Sequence, residues 1–207
     1  MARKDPEQRS PGTREKILDA AERLIALHGV EGFQVKDAAE AVGIRPASVY
    51  AHFEGRDAIA QAVDARLYEG IVEQVLPAED GDPEELLLQM VGNMVRYYAA
   101  CPAHLRLNLR DLAQASYPLE KPEPPSAVYW GKIVDAFSSL VQRGVESGQF
   151  RKLRAERVQA QLVGAAMASL CWRGWDADGN CVSGVPVDEI VHEAQDLMLR
   201  LLRKHET

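Results

Sequence analysis

Between residues 36 and 56, Lys36, Arg45, Ser48, Tyr50, His52 and Arg56 offer cations, hydroxyls and a ring N–H within one short stretch. Such groups bind phosphate, while short side chains such as Ala47 and Ser48 can approach base edges in a groove. A lone surface cation is ordinarily just a solvated charge. The skeleton between these residues gives them a reason to act together. Ala39 is followed by Gly43 four positions on and by Val49 six further. A small residue lets two helices approach, a glycine permits the positive φ of a tight turn, and an apolar residue on the second helix seals the pair. That is helix-turn-helix spacing, and Ala38, Val42, Ile44 and Phe53 supply its remaining apolar contacts.

The flanking pattern predicts helices that would hold this unit. Ile17, Ala21, Leu24, Ile25 and His28 share one helical face, with Thr13 as N-cap and Gly29 as stop. A second helix covers Val35 to Val42, and a third starts at Pro46, where proline costs nothing, and runs to about Phe53. After Gly55 a long fourth helix covers Arg56 to Leu76. Asp80-Gly81-Asp82-Pro83 opens a helix to Ala100, and Pro102 opens another through Leu112, followed by a proline-rich loop over 117–125. Ile133, Phe137, Leu140, Val141 and Val145 line a further helix that stops at Gly148. Two more, Leu153 to Trp172 and Val187 to Arg203, are joined by a glycine-bearing loop. Neither a repeat nor a sheet is expected. The fold class is therefore all-α: a basic arm over 1–12, a three-helix DNA-binding unit over 13–57, and a helical domain over 58–207.

Composition narrows the function. The 207 residues, 46% hydrophobic and 27% charged, suffice for a packed core without staples. The net charge of −7 repels phosphate at long range, so nucleic acid must be held by a local patch. The first 57 residues carry 9 Lys+Arg against 10 Asp+Glu and the rest 15 against 21, which places the acidity in the C-terminal part. Arg3, Lys4 and Arg9 at the start could add groove or phosphate contacts. Cys101, Cys171 and Cys181 are odd in number and lack CxxC spacing, so inert thiols in a reducing compartment are expected, and no zinc site. The polar N-terminus has no signal-peptide core and no later segment reaches membrane-spanning length, which predicts a cytoplasmic protein without a membrane partner. No HExxH, GxSxG, P-loop or dinucleotide fingerprint is present. Neither an enzyme nor a cofactor or metal is expected, and His52 has no second ligand at metal spacing.

With those residues in view, the chain resembles the TetR family of transcriptional regulators. Thr13-Arg14-Glu15-Lys16-Ile17-Leu18 looks like the family's opening helix and Val35 to Ile44 like its second. Ser48-Val49-Tyr50-Ala51-His52-Phe53 matches its recognition-helix signature, and Arg56 stands where a lysine usually begins helix 4. Gln34, Ala38 and Arg45-Pro46-Ala47 depart from the usual pattern. The resemblance implies a dimeric regulator, ordinarily a repressor, on palindromic operator DNA. Tyr50 and His52 would touch the DNA backbone, Arg56 a phosphate, and Arg45, Pro46, Ala47 and Ser48 the base edges, with Lys36 as a further phosphate contact.

The same resemblance assigns a small-molecule effector to the C-terminal helices. Met94, Tyr98, Trp130, Phe137 and Met167 are the expected lining, with His104, Arg106, Asn108 and Ser138 on the same segments. Individually, such residues are as readily plain core. The last two helices would pair across a dimer axis through Gly164, Ala168, Val187, Ile190, Ala194, Leu197, Met198 and Leu201. A regulator of the same fold that answers to a partner protein instead of a small ligand is the alternative.

Overall fold

The computed structural model describes residues 12–77, 80–114, 126–171, 173–175 and 181–204. The proline-rich loop, the basic arm, Trp172 and residues 176–180 of the loop before Pro186 lie outside them. Helix α1 (Thr13–Gly32) starts one residue earlier than expected: Gly12 is the N-cap, and Thr13 is already in the helix without capping it. Gly29 takes φ 73°, which kinks the helix rather than ending it. The extra turn brings Val30 and then Phe33 into the core.

Helix α2 (Val35–Val42) ends where Gly43 adopts the left-handed conformation, φ 76° and ψ 31°. Its N–H points back at the Ala39 and Glu40 carbonyls, and the Ile44 N–H reaches the Ala39 oxygen at 2.9 Å. These bonds satisfy the orphaned carbonyls of the helix end while turning the chain sharply. Helix α3 is shorter than expected, Pro46–Val49, followed by turns to His52. The Tyr50 N–H still bonds the Pro46 carbonyl and the Phe53 N–H the Val49 carbonyl at 3.0 Å, so the spiral persists without a regular second turn.

Helix α4 (Arg56–Val75) leads to α5 (Pro83–Ala100), capped by Asp82, whose carboxylate accepts from the Glu84 and Glu85 amides at 3.0 and 3.1 Å. Then follow α6 (Pro102–Gln114), α7 (Ala127–Glu146), α8 (Ala155–Cys171) and α9 (Val187–Leu202). One small sheet corrects the expectation of none. β1 (Gly174–Trp175) pairs antiparallel with β2 (Cys181–Ser183) between α8 and α9. Strands of two and three residues leave no alternating pattern to read, and the glycine-bearing loop that joins them hid the pairing.

Among the described residues, two hydrophobic cores result. The N-terminal one joins Ile17, Ile25, Phe33, Ala39, Val49 and Phe53 with Ile59, Val63 and Leu67 from α4 and with Ala103 and Leu107 from α6. The other gathers α5, α7, α8 and α9 around Leu87, Ile133, Leu162, Leu170 and Met198. Cys101 packs against both, and α6 lies along α1. The buried Phe150 ring abuts Gly144, where an added Cβ would stand 2.0 Å from it.

Candidate nucleic-acid interface

The α2–turn–α3 unit buries one side and exposes the other. Ala38, Ala39 and Val49 are wholly buried and Phe53 nearly so, with the Arg14 guanidinium 5.2 Å above the Phe53 ring. Because these residues are anchored in the core, Lys36, Arg45, Pro46, Ala47, Ser48, Tyr50 and His52 all project to solvent, and Arg56 is half-exposed. Tyr50 is 58% exposed, far more than a packing role would leave. Gln34, Val35, Lys36, Pro46, Tyr50 and Arg56 line an open surface cleft of about 410 Å³. Arg45, Ala47, Ser48 and His52 stand outside that lining.

Electrostatically, Arg56 is engaged already: it lies 3.2 Å from Glu31 and 3.5 Å from Asp57. Both carboxylates are about three-quarters exposed, so these pairs are weak and open to exchange for a phosphate. A second arginine matters here that no motif or spacing singled out. Arg66 of α4 bonds Asp19 at 2.7 Å and Glu22 of α1, holding the long helix to the first. Burial works against its charge, but the two carboxylates outweigh it and raise its pKa. Spacing along α1 places Asp19 and Glu22 on one face; which cation meets them depends on the α1–α4 crossing.

In the C-terminal domain, Met94 and Phe137 line a cavity of about 10 Å³ with Met90, Val91, Ile133, Gln159 and Leu162. Tyr98 and Met167 are buried in the surrounding core, and Trp130 is partly buried beside it, its ring 6.2 Å from that of Tyr68. A space that size holds about one water at most. Of the expected polar groups, His104 is fully buried and Asn108 accepts from the Tyr68 hydroxyl at 2.6 Å. Arg106 instead reaches back toward Gly29 of α1. Burial pushes the Cys101 and Cys171 thiols up, away from the reactive thiolate.

The residues expected at a dimer axis divide in two. Ala168 is exposed, and Gly164, Val187, Leu197 and Leu201 are half-buried at the surface of α8 and α9. Ile190, Ala194 and Met198 instead point into their own core. Beside Leu201, the exposed Arg151, Arg154 and Arg157 line a groove of about 680 Å³.

Among the described residues no helix is long and apolar enough to cross a membrane. Comparison with the curated proteins finds no match. Residues 17–63 match the family model of bacterial regulatory proteins, tetR family. Several solved structures share the fold over most of the chain. A tetR-family regulatory protein from Rhodococcus RHA1 is similar at 16% identity and a TM-score of 0.75, over 95% of this chain and 100% of that one. The TetR regulator PfmR from Thermus thermophilus gives 23% and 0.67 over the same shares. A protein solved in work on control of antibiotic production by bacterial hormones gives 26% and 0.65, again over 95% and 100%. The matched segment is the one that carries the helix-turn-helix, so residues 17–63 are a TetR-type DNA-binding segment, and the remaining helices follow the fold of solved TetR-family regulators.

Proposed function

We propose that this chain is a repressor that binds a palindromic operator as a homodimer and is released by a small, largely apolar molecule bound in its C-terminal domain. The observation that carries the reading is the exposed set around the short α3, Lys36, Arg45, Ser48, Tyr50 and His52, fixed from beneath by Val49 and Phe53. Lys36, Tyr50, His52 and Arg56 serve as phosphate contacts, and Arg45, Pro46, Ala47 and Ser48 face the bases. Two copies related by a dyad present two such units to successive major-groove faces, hence the palindrome. The dimer face is the small-residue surface of α8, Gly164 and Ala168, with Val187, Leu197 and Leu201 of α9. Ile190, Ala194 and Met198 back that face from within. The division into an arm over 1–12, a DNA-binding unit over 13–57 and an effector and dimer domain over 58–207 belongs to the same proposal.

Selection from a random DNA library with the full chain tests this reading. An enriched inverted repeat is expected; no enriched motif at low salt overturns it. The tightness of the C-terminal cavity favours one second reading, a regulator of the same fold that answers to a partner protein. Failure of every compound class in a thermal-shift screen identifies that case, because a ligand of the native state must raise its melting temperature.

A further inference from the structure

His104 of α6 is wholly buried, with the rings of Tyr68, Tyr97 and Tyr98 at centroid distances of 4.4, 5.4 and 5.2 Å. The Tyr97 hydroxyl donates to the Leu67 carbonyl oxygen at 2.8 Å and lies 3.1 Å from His104 Nδ1. A phenol has one proton, and a carbonyl can only accept, so that proton is committed to Leu67. Nδ1 must therefore bring its own hydrogen to the Tyr97 oxygen. Burial holds the ring neutral, its pKa pushed down to about 3, and a neutral ring protonated on Nδ1 leaves Nε2 as a bare acceptor. Nε2 is buried and meets no hydrogen-bond donor, and the buried Tyr98 hydroxyl has only the Tyr68 side chain as a polar neighbour and makes no bond of full geometry to it. Buried polar atoms are nearly always paired, so two orphans on neighbouring rings call for an occupant.

We propose that His104 Nε2 and the Tyr98 hydroxyl are the polar end of the effector site and that the effector is an uncharged, largely apolar molecule bearing a hydroxyl. Its O–H donates to Nε2 while its oxygen accepts from Tyr98. Behind Tyr98, Met94 and Met90 follow on successive turns of α5 and face Ile133 and Phe137 of α7 around the small cavity. Methionines are the side chains that most readily give way to a guest. Tyr98 to Met90 is eight residues, about 12 Å of helix, the reach of a medium alkyl chain. A carboxylate would set acceptors against the Nε2 lone pair, with the buried Asp64 close enough to bear on the Tyr98 phenol. An ether offers no donor at all. The proposal rests on the ligand-release reading above and names the class of molecule that reading requires.

The test compares 1-decanol, 1-methoxydecane and decanoate on the full chain, by tryptophan fluorescence and by release of the DNA site recovered from selection. Decanol is expected to bind at least tenfold more tightly than the other two, because a site built around a hydroxyl rejects analogues that lack it. His104→Phe should weaken decanol about tenfold or more while leaving methoxydecane, which has no hydrogen to give Nε2, within about twofold, and Tyr98→Phe should weaken decanol about tenfold or more and the ether as well, since both oxygens accept from the phenol. His104→Gln, which keeps an acceptor, should recover part of the loss. Melting curves of the three variants report whether each folds, and Tyr98→Phe carries the test if His104→Phe does not. Equal binding of decanol and its ether means that the orphans hold only water, and overturns the proposal. Tight decanoate binding with DNA release also overturns it, while leaving ligand control intact. No binding by any of the three overturns it and points to the partner-protein reading.

Discussion

Tyr50 projects to solvent because Val49 and Phe53, on either side of it, are sunk in the core, and that exposure is what the proposed phosphate contact needs. Tyr50→Ala should therefore weaken binding to every DNA sequence alike, roughly tenfold, the size of one hydrogen bond to a charged group. Lys36→Ala should lower the slope of log affinity against log salt by about one. Changes at Ala47 or Ser48 should instead alter which sequence is preferred. Fluorescence anisotropy on the selected site and on scrambled DNA separates the two patterns; a Tyr50→Ala loss confined to the cognate site contradicts the phosphate role. His104 makes a pH prediction. Its folded pKa, about 3, lies below the ordinary 6.5, so between those values the unfolded chain binds more protons than the native one. Its share of stability is then present in full above pH 6.5 and falls as pH drops toward 3, by about 1.4 kcal/mol per unit. Urea denaturation at about pH 7 and about pH 5, on either side of the ordinary imidazole value, should show His104→Phe losing less than the wild type. The exposed residues of this site were legible in the sequence because their neighbours' apolar spacing fixed which side they occupy. The imidazole's unpaired nitrogen was not, since it depends on Leu67, Tyr97 and Tyr98 arriving from two other helices.

Helices carry the next set of consequences. The α2–α3 turn was readable because only Gly43 among its residues takes a left-handed conformation, and glycine announces that requirement. The inward placement of Ile190, Ala194 and Met198 was not, because an apolar stripe on a helix reads the same whether it meets its own core or another chain. Arg66 likewise became visible only once α1 and α4 were crossed. Arg66→Ala should cost roughly 1 kcal/mol and less at high salt, because its side chain remains 28% exposed and the network is screened. An unchanged chemical-denaturation midpoint at low salt would count against that network. At the close of α7, Gly144→Ala drives a methyl into the Phe150 ring, and roughly 1–3 kcal/mol of overpacking should appear as a lower melting temperature. Gly144→Ala combined with Phe150→Leu should recover part of it.

At the scale of the whole molecule, the proposed binding of DNA and effector at two distant places would be a single equilibrium. If the effector prefers a dimer whose recognition units are wrongly spaced, DNA and effector must weaken each other's binding by one common factor. Ala168→Arg should place an unpaired charge on the proposed dimer face, split the dimer in sedimentation, and abolish tight operator binding without unfolding the protomer. A variant that stays dimeric would move the interface elsewhere. The two cores share α4 and α6, and that sharing reaches beyond regulation into how the protein is made. Ala103 and Leu107 complete the core beneath the helix-turn-helix although they lie far along the chain from it. A ribosome that has released only residues 1–57 has released a head with its floor missing, still lacking Ile59, Val63 and Leu67 as well. Chains grow N-terminus first, so the DNA-binding half must wait, partly collapsed and within reach of chaperones, until α6 emerges and closes it.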